Sequence, residues 1–266
     1  MKTATGSRNA SYTVSGFTGP RYALLDTLRG LTLCSMIAYH TVWDLVCLFG
    51  AVAWPGFPAE TRAFVWQQSI CWSFIFLSGF CWPLGRAHLR RGLTVFAGGL
   101  AVTAVTLLTM YENRVVFGVL TFLGCAMLLL IPLDRLLGRV PPGVGFLASA
   151  ALFALLRNLG AGYLGFGPWR LCTVPAWLYK GYVATFIGFQ DPAFYSSDYF
   201  ALLPWLFLFL AGYFACRWLR AGDAMARLPG IFACGVRPLA FLGRHSLPLY
   251  LLHQPVIYGV LWLILR

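Results

Sequence analysis

Charge is the scarce component of this 266-residue sequence, and acidic residues are its rarest class. Charged residues make up 11% of the chain, against about 25% in an ordinary soluble domain. There are 8 Asp and Glu against 20 Lys and Arg, while 59% of the residues are hydrophobic. This balance excludes a soluble globular fold. The sequence instead predicts an all-α, polytopic transmembrane helix bundle.

The sequence also lacks paired cysteines, a signal peptide and internal repeats. Its 8 Cys lie mostly inside apolar runs and form no C-x-x-C pair, so we expect no disulfide framework and no metal site. Residues 1–20 are polar and contain no apolar core of a signal peptide, which predicts a disordered cytoplasmic tail before a single transmembrane domain at 21–266. The absence of a repeat counts mildly against a transporter built from inverted halves.

Apolar runs long enough to cross a bilayer, which takes about 20 residues, are present seven times. They cover approximately 24–49, 63–84, 93–110, 115–133, 144–160, 200–219 and 245–265. An eighth stretch, 169–189, is aromatic and only moderately apolar. Its Pro175, Lys180 and Gly181 favour a re-entrant or interfacial segment over an eighth span.

The basic residues between these runs predict the orientation. With seven spans and a cytoplasmic N-terminus, fourteen of the 20 Lys and Arg fall on the cytoplasmic side and six outside, as the positive-inside rule requires. The same clusters account for the net charge of +12 without a nucleic-acid partner. The lipid bilayer is the expected partner, and the outer loop 161–199 is the expected extracytoplasmic binding surface.

The first span carries four ionisable residues, Asp26, Arg29, His40 and Asp44. Such residues are costly in a membrane helix and normally face the bundle interior or a water-filled cavity. Arg29 and His40 are about three helical turns apart, so they share one face and lie about 16 Å apart along the axis. Asp44 follows His40 by one turn and can orient the imidazole as a general base, while Asp26 can pair with Arg29. The alternative is helix-end charges with a histidine that only packs.

The last span carries a second polar cluster. Ser246, Tyr250 and His253 fall on one helical stripe, with Gln254 beside them. Pro255 removes a backbone donor next to this cluster and can kink the helix. These residues predict a polar wall of a site inside the bundle, or alternatively a proline kink packed with hydrogen-bonded side chains.

Five segments in order carry a family resemblance: LLDTLRGLTLCSMIAYHTVWDL, FIFLSGF, VVFGVLTFLGCAML, SSDYFALLPWLF and FLGRHSLPLYLLHQPV. In this combination the chain resembles the bacterial branch of the heparan-alpha-glucosaminide N-acetyltransferase catalytic-domain family over about residues 21–262. That family belongs to a wider set of transmembrane acyltransferases. The D-x-x-R-G element with His40 eleven residues after its Arg is also similar to acyltransferase-3 proteins. The chain departs from the family pattern at Thr121, where a histidine often stands.

The resemblance implies transfer of an acetyl group from cytoplasmic acetyl-CoA to an amine or hydroxyl of a sugar or cell-envelope glycan reached from the other side. It implies a bacterial inner-membrane protein. The catalytic candidates are His40, Asp44 and His253. The candidates for holding acetyl-CoA at the cytoplasmic rim are Asp26, Arg29, Arg86, Arg90, Arg91 and Arg244. The candidates for binding the acceptor are Asp198, Tyr199, Trp205, Ser246, Tyr250 and Gln254.

Two other functions remain open from the residues alone. A small-solute or proton-coupled transporter would use the same stripe of His40 and Asp44. A lipid-binding or partner-binding scaffold would perform no chemistry. Acetyl-CoA binding with transfer or hydrolysis would support the enzyme, and proton-driven flux without CoA would support the transporter. The sequence is compatible with a homodimer.

Overall fold

The computed structural model describes residues 22–222 and 229–265, and the tail predicted at 1–20 lies outside them. The helices are α1 (Ala23–Trp43), α2 (Thr61–Cys81), α3 (His88–Thr109), α4 (Val119–Leu137), α5 (Pro142–Leu156), α6 (Gly181–Ile187), α7 (Leu202–Ala221), α8 (Pro229–Ala233), α9 (Arg237–Arg244) and α10 (Ser246–Leu265). The first helix continues as a π-helical turn, Asp44–Leu48.

Seven helices in the described part of the chain are long and apolar enough to cross a membrane. They are Ala23–Leu48, Thr61–Cys81, His88–Thr109, Val119–Leu137, Pro142–Ala161, Leu202–Ala221 and Ser246–Leu265. Each overlaps one of the seven predicted runs. The prediction of an all-α polytopic bundle with seven spans is confirmed.

The stretch 169–189 does not form an eighth span. Strands β1 (Tyr163–Phe166) and β2 (Trp169–Thr173) pair as an antiparallel hairpin, and a 3-10 turn, Ala176–Leu178, follows. Helix α6 has 7 residues, which gives it a length of about 10 Å. That is too short to cross a bilayer, so the preference for a non-spanning segment is confirmed.

The seven crossings alternate in direction and define two faces of the bundle. The connections α2–α3 and α4–α5 lie at one face together with α9, and we call it the α9 face. The connections α1–α2, α3–α4 and α5–α7 lie at the other face. Because the third of these contains the β1–β2 hairpin, we call it the hairpin face.

Glycines bring the central helices into close contact. A methyl group added at Gly79 of α2 would lie 1.9 Å from the carbonyl oxygen of Phe209 in α7. One added at Gly212 of α7 would lie 2.1 Å from the carbonyl oxygen of Phe76. Lipid supplies no hydrophobic force between helices, so association depends on such close backbone contact. The largest buried cluster, which includes Phe209, surrounds this contact.

The helix α9 packs on the first half of α1 by the same means. Methyl groups added at Gly30 and Gly243 would each lie 1.9 Å from a carbonyl oxygen, that of Leu239 and that of Asp26 respectively. The chain then turns into α10, which follows the second half of α1 towards the hairpin face. No side chain of α10 is fully buried, so this helix lies at the edge of the bundle.

Candidate active site

Two histidines meet where α10 runs beside α1. The ring centroids of His40 and His253 lie 4.8 Å apart in an edge-to-face arrangement. The Nδ1 of His253 contacts the carbonyl oxygen of Tyr250. A carbonyl oxygen only accepts a hydrogen bond, so Nδ1 of His253 carries a hydrogen. In the neutral imidazole Nε2 then keeps its lone pair. That Nε2 is buried and has no hydrogen-bond partner among the described residues.

The side chain of His40 is partly exposed, and its ring also contacts the Tyr39 ring edge-on, with centroids 5.9 Å apart. Within the described residues no carboxylate forms an ion pair with it. Both histidines are half-buried, and Nε2 of His253 is a buried ring nitrogen.

Asp44 contacts α10, and the predicted contact with His40 is not formed. Asp44 is 0% exposed, and its Oδ1 accepts a hydrogen bond of 2.7 Å from Nε2 of Gln254. Neither a hydrogen bond nor an ion pair joins Asp44 to His40 in residues 22–222 and 229–265. The one-turn spacing permits that contact, but the amide of Gln254 takes the carboxyl and the His40 ring turns to His253.

Several buried polar atoms around this pair have no partner among the described residues: Asp44 Oδ2, Gln254 Oε1, His253 Nε2 and the Tyr39 hydroxyl. The Thr121 hydroxyl of α4 is a fifth such atom. Leaving a buried polar atom unsatisfied costs about 1–3 kcal/mol. Four of these five unsatisfied atoms lie on the first span or on α10. This region is therefore the one where a ligand, a water molecule or a proton would satisfy them. Among the described residues, no three His, Cys, Asp or Glu side chains are placed to hold a metal ion.

Asp198 connects this cluster to the hairpin face. Its Oδ2 accepts a hydrogen bond of 3.2 Å from the backbone N–H of Val119, at the start of α4. Burial raises the pKa of Asp198 from 3.8 to about 6, and the N–H of Val119 opposes that rise. The side chain of Tyr250 interacts electrostatically with Asp198 and with Cys71 of α2. The Tyr250 ring lies 5.3 Å from that of His253, so it links Asp198 to the histidine pair.

Three predicted acceptor-binding residues lie elsewhere. The hydroxyl of Tyr199 donates to the carbonyl oxygen of Thr185 in α6, and burial raises the pKa of Tyr199. Trp205 is buried, with its ring against Phe153 and Phe200. Ser246 begins α10 at the α9 face, about 10 Å along the helix from His253. The structure therefore brings Tyr250 and Gln254 to the histidine pair, and places Tyr199, Trp205 and Ser246 apart from it.

A polar network between α2 and α5 was not predicted from the sequence. The guanidinium of Arg157 donates a hydrogen bond of 2.7 Å to Gln68 Oε1, which also accepts one from Trp72 Nε1. Arg157 also lies over the Trp205 ring, 5.0 Å from its centroid, and interacts electrostatically with Cys71. The sequence signal for this network is Gln68, which stands one turn before Trp72 inside an apolar run. Arg157 is one of the six basic residues that the sequence predicts on the outer side.

The predicted donor-binding residues all lie at the α9 face. Arg29 of α1 and Arg91 of α3 interact electrostatically. The Arg91 guanidinium packs on Gly85, where an added methyl group would lie 2.0 Å from it. Nε of Arg244 lies 3.9 Å from Oδ2 of Asp26. The remaining two arginines are exposed in the α2–α3 connection and at the start of α3: Arg86 and Arg90.

A cavity of about 300 Å³ lies at the same face, lined by Trp82, Pro83, His88, Asp134, Gly138, Tyr213, Arg217 and Arg220. Its arginines have structural partners: Arg217 donates to the carbonyl oxygens of Leu137 and Gly138 at the end of α4, and Arg220 to that of Pro83. Cationic side chains at helix C-termini stabilise the exposed carbonyls. The two arginines that line this cavity therefore act mainly as caps of helix ends.

A larger cavity of about 840 Å³ lies in the outer segment that was expected to hold the extracytoplasmic binding surface. Its carboxylate, Asp191, accepts hydrogen bonds from the backbone N–H groups of Gly181 and Ala193. These two bonds lower the pKa of Asp191. The carboxylate therefore holds the loop in shape.

Comparison with known families identifies one family model that covers most of the chain. The family model described as "Heparan-alpha-glucosaminide N-acetyltransferase, catalytic" matches residues 21–255. The match runs from α1 through the polar part of α10 and includes both histidines. No curated protein and no solved structure gives a significant match. Because the family model covers most of the chain, this multi-pass membrane protein belongs to the heparan-alpha-glucosaminide N-acetyltransferase catalytic family, whose activity is of the acyltransferase type.

Proposed function

We propose that the protein transfers an acetyl group from acetyl-CoA, bound at the α9 face, to an amine or hydroxyl of a sugar or cell-envelope glycan that enters from the hairpin face. The observation that carries the proposal is the contact of His40 with His253 between the two faces. The α9 face is then cytoplasmic and the membrane is the bacterial inner membrane, in agreement with the excess of arginine at that face.

The donor side is supported by the arrangement of its arginines. Arg29 and Arg91 are partly buried and lie within electrostatic range of each other. Two like charges in this position are unfavourable, and a phosphate group between them would relieve the repulsion. Guanidinium groups bind phosphate through two parallel hydrogen bonds. The five arginines among the predicted donor-binding residues therefore suit the phosphates of CoA.

His40 is the group we assign as general base. Acetyl-CoA supplies the activated thioester. His40 accepts the proton of the attacking amine or hydroxyl while that nitrogen or oxygen bonds to the acetyl carbon and the carbon–sulfur bond breaks. The proton then passes from His40 to the departing thiolate, so no net proton is consumed. The hydroxyl of Tyr250 is the nearby donor that we assign to the negative charge developing on the acetyl oxygen.

The proposal is tested with purified protein, labelled acetyl-CoA and a panel of amino sugars and envelope glycans. We expect CoA release that depends on both acceptor and His40. Arg29→Lys should weaken acetyl-CoA binding because lysine keeps the charge but loses the planar fork. Arg62→Lys, exposed at the hairpin face, is the matched control. Dephospho-CoA should bind less well than CoA, and equal affinity would contradict a role for the arginines in phosphate binding.

The transporter is the second candidate, since a fully buried carboxyl beside two histidines also suits a proton relay. Proton-driven solute flux in liposomes without CoA, together with no acetyl-CoA binding, would favour it over the enzyme. Mass spectrometry of envelope glycans from a deletion strain would identify the acceptor.

A further inference from the structure

The contact between Asp44 and Gln254 holds a weakly packed helix. No side chain of α10 is fully buried, and its position beside α1 rests on few contacts. Asp44 is nonetheless completely buried, and its bond of 2.7 Å crosses from one helix to the other. Gln254 directly follows His253, so this bond also sets where the second imidazole lies.

The surroundings of Asp44 supply no compensating positive charge. Its hydrogen-bond partner is a neutral amide. The titratable groups near it are Cys47 on its own turn, with which it interacts electrostatically, His40 one turn earlier, and His253 on α10. No ion pair joins Asp44 to any residue in the described part of the chain. An ionised carboxylate buried without a positive partner is strongly disfavoured.

The unsatisfied atoms of the pair point to the same conclusion. Asp44 Oδ2 and Gln254 Oε1 are both buried without a partner among the described residues. Both are acceptors if the carboxyl is ionised, so neither can satisfy the other. A single hydrogen on Oδ2 turns that atom into a donor towards Oε1. The two planar groups then exchange two hydrogen bonds.

We propose that Asp44 is held as a neutral carboxylic acid that donates to Gln254 Oε1 and accepts from Gln254 Nε2, forming an acid–amide pair that positions His253 against His40. Asp44 is then a positioning residue and not the charged partner of the general base. This goes beyond the proposed acetyl transfer and rests on that function only where activity is the readout.

The first test is a neutral replacement. Asp44→Asn keeps the size and the two complementary hydrogen-bonding groups, because its Nδ2 can donate to Gln254 Oε1. We expect an unchanged melting temperature and an unchanged pH profile. Asp44→Leu removes the pair and should lower kcat by about tenfold or more, since it leaves a buried amide unsatisfied. The exchange variant, Asp44→Asn with Gln254→Glu, moves the acid to α10 and should keep the melting temperature of the wild type.

The second test does not depend on activity or on a destabilised variant. Infrared spectra of the wild type at pH 8 should contain the carbonyl stretch of a protonated carboxylic acid, and Asp44→Asn should remove it. Asp191→Asn, which replaces a carboxylate bonded to two backbone N–H groups, is the matched control and should leave that band unchanged.

Three results would overturn the proposal. One is a folded Asp44→Asn protein with at least a hundredfold loss of kcat and a shifted pH profile, which would make Asp44 the charged partner of His40. Another is absence of the protonated-acid band in the wild type. The last is a melting temperature that rises with sodium in the wild type but not in Asp44→Asn, which would place a cation where we place a proton. Failure of the wild type to acetylate any acceptor would instead count against the proposed function, and the infrared and melting measurements would still decide the state of Asp44.

Discussion

Replacing His40 and His253 in turn by glutamine tests whether α1 or α10 carries the proposed general base. Glutamine is similar in size and can hydrogen-bond, but it cannot take up a proton. A general base contributes about 10²–10⁴ in rate, or about 2.7–5.4 kcal/mol of barrier at 1.36 kcal/mol per tenfold. His40→Gln should lower kcat by that factor, because His40 is the group that we assign as the general base. His253→Gln removes the bond to the Tyr250 carbonyl, which is worth about 1 kcal/mol or roughly fivefold.

The assay is the initial rate of CoA release at saturating acetyl-CoA, with both variants in the same lipid nanodiscs. Acetyl-CoA affinity is measured separately and should stay within a few-fold of the wild type, since Arg29 lies about 16 Å from His40 along α1. The reverse order would refute this reasoning: if His253→Gln abolishes transfer and His40→Gln remains active, the base is on α10 and α1 only packs against it.

Three further predictions concern topology, pH and packing. A reporter fused to the C-terminus should be active outside the cytoplasm because seven spans follow a cytoplasmic N-terminus, and a cytoplasmic signal would reverse the assignment of both faces. Asp198→Asn should raise the melting temperature at pH 8 and bring no gain at pH 4. Because the pKa of Asp198 is raised to about 6, its ionised form destabilises the fold at pH 8, and this destabilisation disappears as the pH falls from 6 to 4. A higher melting temperature of the variant than of the wild type at pH 4 would contradict this. Gly212→Ala, whose new methyl would lie 2.1 Å from the carbonyl oxygen of Phe76, should cost about 1–3 kcal/mol by overpacking. In the control variant, Gly259→Ala, the added methyl group has no atom within 4 Å, and the variant should not destabilise the fold. Equal melting temperatures for the two variants would show that α2 and α7 can move apart to accept the methyl group.

The spans could be predicted because apolar length is a local property of the chain. The β1–β2 hairpin could not, because its strands are short and its conformation depends on Gly162 and Gly167, both with positive φ. From the sequence alone, 161–199 is predicted only as a long loop. It correctly rejected an eighth span, because Pro175 and Gly181 interrupt the apolar pattern.

The sequence predicts polar residues on two separate helices, but it does not predict that His40 and His253 contact each other. Each histidine is visible on the polar stripe of its own helix, but the distance between helices is a tertiary property. The distance between α1 and α10 depends on how α9 packs on α1, at Gly30 and Gly243. Asp44 shows the same limit: helical spacing identifies every partner within reach, including His40, and the structure shows that Gln254 on another helix takes the carboxyl.

The exposed position of α10 places the histidine pair one helix away from the bilayer. One wall of the histidine site is a helix whose outer surface is lipid-facing, including Leu252 at 58% and Val256 at 57% exposed. Its 20 residues span about 30 Å, the thickness of the hydrocarbon core. We therefore expect membrane thickness and acyl-chain order to change the spacing of His40 and His253. For the proposed acetyl transfer, a gap between α10 and its neighbours would open sideways into the leaflet and would give a glycan attached to a lipid a lateral route to His40 that a free sugar does not have.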